Sequence, residues 1–144
     1  MANSTQEMPR HVEVTYKHAV NSIRFHKIQQ WMATNYAILV YVGIFVLSAR
    51  FFSRNDMVRG LLGVLVILTF LYHLYVLKLL QDGVKSFRLR LDWIYRTYFT
   101  ADERSGLNVP LKPSLLQPVD LLGLVAVSVI GAALTLIYLF SVRN

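Results

Sequence analysis

Apolar residues in this chain come in three long blocks, and outside the blocks they return every three or four positions. The first block, residues 32–52, reads MATNYAILVYVGIFVLSARFF, with Arg50 near its far end as its one charge. As a helix it rises about 30 Å, the thickness of a bilayer core. The second, residues 60–77, reads GLLGVLVILTFLYHLYVL, and the third, residues 119–142, VDLLGLVAVSVIGAALTLIYLFSV. Each block is read as a transmembrane helix. The polar turn SRNDMVR between the first two is so short that they must be antiparallel neighbours. Pro110, Pro113 and Pro118 crowd residues 105–118 and predict an extended linker, with Pro118 opening the third helix.

The segments flanking the blocks keep a different rhythm. Val84, Phe87, Leu91, Ile94 and Tyr98 step by 3, 4, 3 and 4, and Val12, Tyr16, Ala19, Ile23 and His26 step by 4, 3, 4 and 3. Each set forms one apolar seam at coiled-coil spacing. Glu13 can pair with Lys17, and Asp92 with Arg88 and Arg96, at four-residue intervals on the flanks. Between Gly60 and Phe99, Gly83 is the one residue read as an interruption of a helix. The pattern therefore predicts a disordered polar leader over 1–10, a water-facing helix over 11–31 running into the first span, and a helix over 78–104 continuing the second. That continuation should fray near DERSG, where Gly106 can cap it. The expected fold is an all-α membrane protein with three transmembrane helices, the first two extended into the cytoplasm as an antiparallel helical hairpin that buries the two seams against each other.

Composition agrees with a membrane setting. Of 144 residues, 55% are hydrophobic and 16% charged, whereas a soluble domain carries about a quarter charged residues. The net charge of +7 then concerns orientation and anionic headgroups. Of the 15 Lys and Arg, only Arg50, Arg54, Arg59 and Arg143 fall on the side opposite the N-terminus. The positive-inside tendency thus predicts an N-terminus in the cytoplasm and a C-terminus outside. The first thirty residues lack the basic start and short apolar core of a secretory signal. The chain has no cysteine, which excludes disulfides and thiolate chemistry. The stretch KSFRLRLDWIYRTYF is basic and aromatic. It suits a scaffold helix first and an anionic bilayer surface second. No glycine loop, RNA-binding motif or zinc pattern points to nucleic acid.

Candidate chemistry is sparse. His11, His18 and His26 are seven and eight apart, too far along a helix to share one metal ion. His73 lies within the second block in LYHLY. An ionisable residue there invites a pore-lining or proton-carrying role. The plainer reading puts it in an interfacial aromatic belt with Tyr72 and Tyr75. Haem ligation would need a second intramembrane histidine, which the chain lacks. Thr34, Asn35 and Thr69 are candidates for bonds between helices. Ser128, Gly131 and Ala132 give the third block a small-residue packing face, within a subunit or between subunits. Asp102 and Glu103 are adjacent, so a helix would point them apart. No catalytic set, cofactor motif or metal site emerges, and the chain is read as a non-enzyme.

Over residues 12–99, a polar helix VEVTYKHAVNSIRFHKIQQW enters a tight two-span turn, and KSFRLRLDWIYRTYF returns. This build resembles the SLATT-type small helical membrane effectors of bacterial conflict systems. The likeness is architectural, covers roughly 60% of the chain, and carries over no functional residue. The third span is an addition to the two-span pattern. The resemblance implies a membrane pore opened when a partner triggers it. The first functional expectation is a homo-oligomeric protein of the bacterial inner membrane whose cytoplasmic hairpin assembles and gates such a pore. The alternatives are an accessory subunit of another membrane protein's complex and an enzyme acting on lipid or quinone.

Overall fold

The computed structural model describes residues 9–51, 56–100 and 118–141. Three α-helices make up nearly all of these: α1 (Arg10–Phe51), α2 (Asp56–Tyr98) and α3 (Pro118–Ser141). No strand occurs among the described residues. All three helices are long and apolar enough to cross a membrane. The 42 residues of α1 and 43 of α2 rise about 63 and 65 Å, roughly twice a bilayer core. Each therefore carries far more helix than one crossing needs.

The helix ends follow local chemistry. The Pro9 carbonyl accepts the Val12 and Glu13 amides at 2.8 and 3.2 Å, which starts α1 at Arg10, one residue inside the expected leader. The second helix opens at Asp56, four residues before the expected start. Asp56 suits the first turn of a helix, and Arg59 approaches it at 3.8 Å one turn on. Met57, Val58 and Arg59 are thus helical instead of part of a turn. At its other end α2 stops at Tyr98, short of the expected residue 104. The run Thr97–Tyr98–Phe99–Thr100 combines aromatic and β-branched residues of low helix propensity. Proline opens α3, as its fixed φ and missing N–H allow at a first turn. The leader over 1–8, the turn over 52–55, the Gly106 cap, the linker over 105–117 and the end of the third span at 142 lie outside the described residues.

The chain divides into two compact units. The polar unit takes α1 up to Ile28 and α2 from Leu80. Val12, Ala19, Val84 and Ile94 are buried in it, and Tyr16, Ile23, Phe87, Leu91 and Tyr98 are half-buried. Tyr16 meets Tyr95 edge to face with centroids 5.9 Å apart, and His26 meets Phe87 at 5.6 Å. Across these two ring pairs, partner numbers fall along α2 as they rise along α1. Expected flank pairs also form: Lys17 Nζ to Glu13 at 2.6 Å and Arg96 Nε to Asp92 at 2.9 Å.

The apolar unit takes α1 from Gln29, α2 up to Leu79, and α3. Ala37, Tyr41, Ile44, Val66, Ala132 and Leu139 form its buried cluster, with Leu62, Phe70 and Leu136 packed against it. The outward surfaces of the three helices are dominated by exposed Leu, Val, Ile and Phe, which suits lipid as the surrounding medium.

Candidate functional site

In the apolar unit, His73 is 3% exposed, while Tyr72 and Tyr75 beside it are 70% and 63% exposed. The aromatic-belt expectation for His73 is therefore corrected. The tyrosines face outward, and the imidazole points into the bundle. Its position explains this, because Gly63, Val66, Phe70, His73 and Leu77 step by 3, 4, 3 and 4 along the side of α2 that packs against its neighbours.

The ring links all three helices. Its Nε2 lies 3.0 Å from Thr34 Oγ1 on α1, and its Nδ1 2.9 Å from Ser128 Oγ on α3. Thr34 Oγ1 donates to the Gln30 carbonyl at 2.9 Å, and Tyr41 Oη lies 3.3 Å from Ser128 Oγ. Tyr41, Ser128, His73, Thr34 and the Gln30 carbonyl thus form one continuous hydrogen-bonded run across the three helices. Among the described residues no buried side-chain nitrogen or oxygen lacks a partner.

The small residues of α3 support this node. Ser128 is fully buried, Ala132 is buried and Gly131 half-buried. A Cβ on Gly131 would lie 2.9 Å from Tyr41 Cδ2, so glycine lets the Tyr41 ring lie on α3 and reach Ser128. Asn35 is exposed and Thr69 half-buried.

The polar unit has its own constellation. The His26 Nδ1–H donates to the Ser22 carbonyl at 2.7 Å. Its Nε2 faces Gly83, where an added Cβ would come within 2.6 Å. The lone glycine of this part of α2 thus seats an imidazole. The Tyr16 and Tyr95 hydroxyls are 3.2 Å apart, and burial plus that bond push the Tyr95 phenol up to about 12. His11 and His18 are exposed. No three His, Asp or Glu side chains gather at a possible metal position among the described residues.

Outside its seam, the polar unit also exposes large apolar side chains. Val14 and Phe25 on α1 are 60% and 58% exposed, and Leu89 and Trp93 on α2 are 63% and 58% exposed. A groove of about 300 Å³ lies beside the latter pair, lined by Thr15, Leu89, Arg90, Trp93 and Ile94.

Sequence reasoning named His73, Thr34, Ser128 and the seams, but it missed Tyr41, Gln30 and Tyr95 as participants and Gly83 as a seat. A usable signal exists for two of them. Gln30, Thr34, Ala37, Tyr41, Ile44 and Ser48 continue the three- and four-residue steps along α1, and all six are buried. No protein-family model, curated protein or solved structure matches the chain.

Proposed function

We propose that this chain is a non-enzymatic, multi-pass membrane protein that assembles with copies of itself through the outer faces of its polar unit. One observation carries the reading: Val14, Phe25, Leu89 and Trp93 stand mostly exposed outside the predicted spans, where lipid tails do not cover them. Each helix of the polar unit thus has two apolar edges, the seam and an outer stripe. A helix pair that buries one edge and shows another is half of a four-helix arrangement. Both helices also carry both signs of charge, Glu13 with Lys17 and Asp82 with Lys85, so a second copy can approach without uniform repulsion. Trp93 beside its groove is the kind of aromatic anchor that dominates such contacts.

The reading extends to architecture. The two long helices form an antiparallel hairpin whose polar unit lies in the cytoplasm of a bacterium, with α3 returning the C-terminus to the outer side of the inner membrane. The excess of Lys and Arg on the N-terminal side supports this orientation. Any path across the membrane arises between copies. Val66, His73, Leu77 and Ser128 fill the inside of the apolar unit, so one chain encloses no lumen among its described residues. The likeness to SLATT-type effectors supports a pore that opens when the polar units rearrange.

Light scattering on the protein purified in mild detergent tests the proposal. The expected particle contains several copies of the chain and nothing else. Leu89→Ser combined with Trp93→Ser should lower the copy number while helix content stays unchanged. A monomeric native particle refutes self-association, and a stoichiometric foreign chain in the particle refutes it in favour of an accessory subunit.

A further inference from the structure

We infer that the apolar unit grips the phospholipid headgroup boundary of one leaflet through a girdle of Trp31, Tyr36, Tyr72 and Tyr75, and that His73 lies at the depth of that boundary, not at the bilayer midplane. The inference does not depend on self-association, so a monomer would show it equally.

Contacts inside the apolar unit set the heights. Thr34, His73 and Ser128 meet side chain to side chain, which puts these three positions at one level. Tyr41 lies on Gly131 and Phe45 on Tyr138, so residue numbers rise together along α1 and α3. Phe140 lies on Gly63, so numbers fall along α2 as they rise along α3. Helical rise then places Trp31 about 4.5 Å from the Thr34 level towards the start of α1, and Tyr36 about 3 Å the other way. Tyr75 and Tyr72 lie about 3 Å and about 1.5 Å from the His73 level in the same two senses. The four side chains thus share a band about 8 Å deep. Each is between 61% and 70% exposed, and no other Trp or Tyr among the described residues of this unit is exposed.

That band has the chemistry of a headgroup boundary. Trp and Tyr collect where tails give way to headgroups, because an apolar ring with a polar tip suits both sides. Asn35, beside Tyr36 and level with Tyr72, also faces outward. A carboxamide turned to hydrocarbon would forfeit its hydrogen bonds. Lys78, exposed one turn beyond Tyr75, extends its ammonium towards lipid phosphates. On the other side of the band, every exposed position from Leu71 back to Leu61 is Leu, Val or Ile, and every exposed position from Leu39 to Ala49 is apolar.

The lengths close. A hydrocarbon core of about 30 Å takes up about 20 helical residues. Counted from Trp31 it ends at Phe51, the last residue of α1, and counted back from Tyr75 it ends at the first turn of α2 by Asp56. The midplane then falls near Leu65, about 12 Å from the His73 level. Asp120 on α3 stands on the headgroup side of the girdle. A pore constriction at the midplane would therefore not be lined by His73. The far end of the unit shows no exposed Trp or Tyr among its described residues, so a change in bilayer thickness is taken up there while the girdle holds its place.

Depth is read on the full chain in phosphatidylcholine vesicles. Of the two tryptophans, Trp93→Phe leaves Trp31 as the single emitter. Lipids brominated near the headgroup should quench it at least about twofold more than lipids brominated near the chain ends. The chain has no cysteine, so single spin labels at Leu61→Cys, Leu65→Cys, Leu68→Cys, Leu71→Cys and Leu79→Cys, all at exposed positions, locate the midplane. The ratio of oxygen access to access by a water-soluble nickel chelate should peak at Leu65 and be at least about fivefold lower at Leu79. In phosphatidylcholine of longer chains the Leu61 label should sink deeper while the Trp31 quenching contrast holds. Stronger quenching of Trp31 by the deep bromines, quenching by neither set, an oxygen peak at Leu71, or an equal shift of both ends with thickness would each overturn the inference.

Discussion

Placing an alanine at position 83 reverses its usual effect if His26 is seated as described. In an ordinary helix interior, Gly→Ala stabilises by about 1 kcal/mol through backbone entropy. Here the new Cβ would lie 2.6 Å from His26 Nε2 and 2.7 Å from Cδ2, well inside contact distance. The ring cannot retreat cheaply. Its Nδ1–H is bonded to the Ser22 carbonyl at 2.7 Å, and the Phe87 and Phe25 rings lie 5.6 and 5.9 Å from it, centroid to centroid. Overpacking costs about 1–3 kcal/mol, and pulling the ring off Ser22 costs about 1 kcal/mol more. Set against the propensity gain, Gly83→Ala should destabilise by roughly 1–3 kcal/mol. In a His26→Ala background the obstacle is gone, and the same substitution should stabilise by about 1 kcal/mol. Chemical denaturation of the detergent-solubilised full chain, followed by circular dichroism, provides the four corners of the cycle. A stabilising Gly83→Ala in the native background, or the same sign in both, would refute the seating of His26 and with it the antiparallel register of the polar unit.

Tyr95 should titrate near 12, above the ordinary tyrosine value of 10.0, in an ultraviolet pH titration, and Tyr16→Phe should move it back towards 10. Because the folded value is raised, this residue's contribution to stability is intact below pH 10 and is lost as pH rises towards 12. Glu13 behaves in the opposite sense. Its carboxylate is held below 4.5 by the hydrogen bond and charge of Lys17, so its contribution is present above 4.5 and lost on acidification through the folded value. Amide exchange in the first turns of α1 should quicken at low pH, and Lys17→Gln should remove that acid dependence. Gly131→Ala places a Cβ 2.9 Å from Tyr41 Cδ2 and should cost about 1–3 kcal/mol by displacing the ring from Ser128. Thermal unfolding in detergent that leaves Gly131→Ala as stable as the native chain would contradict the close approach.

The three apolar helices were legible because charge is nearly absent over lengths that match a bilayer. The seams of the polar unit were legible because apolar residues stand out against Lys, Arg, Asp and Ser. Within the blocks the same periodic signal disappears, since nearly every position is apolar and contrast is lost. That is why His73 looked like a member of a surface belt between two tyrosines. Yet the seam continues through the block: on α2, Gly63, Val66, Phe70, His73, Leu77, Leu80 and Val84 keep the three- and four-residue steps. Counting backwards from Val84 reaches His73 and places it inside. Helix boundaries were less legible for a different reason. They depend on capping partners such as the Pro9 carbonyl and the Asp56–Arg59 pair, which hydropathy does not register.

The two units also use the seam with opposite chemistry. In the polar unit the fully buried seam positions are Val12, Ala19, Val84 and Ile94, whereas the buried polar side chains Gln30, Thr34, Ser48, His73, Ser128 and Thr135 all fall in the apolar unit. Lipid around the apolar unit and water around the polar unit would account for this inversion. In water, helices associate by removing apolar surface. In lipid that drive vanishes, and close packing and hydrogen bonds hold helices together. An apolar replacement of a seam polar group should therefore act differently in the two units. Thr34→Val breaks the run through His73 and leaves Nε2 facing a methyl group, a loss of about 1–2 kcal/mol. Tyr16→Phe removes one half-buried hydroxyl bond of 3.2 Å and keeps the ring contact, a loss of about 0.5 kcal/mol or less. Measured side by side in the same detergent, Thr34→Val should be the more damaging change. If Tyr16→Phe proves the costlier of the two, then hydrogen bonding is not what distinguishes the apolar unit, and the assignment of its outer surface to lipid loses its physical basis.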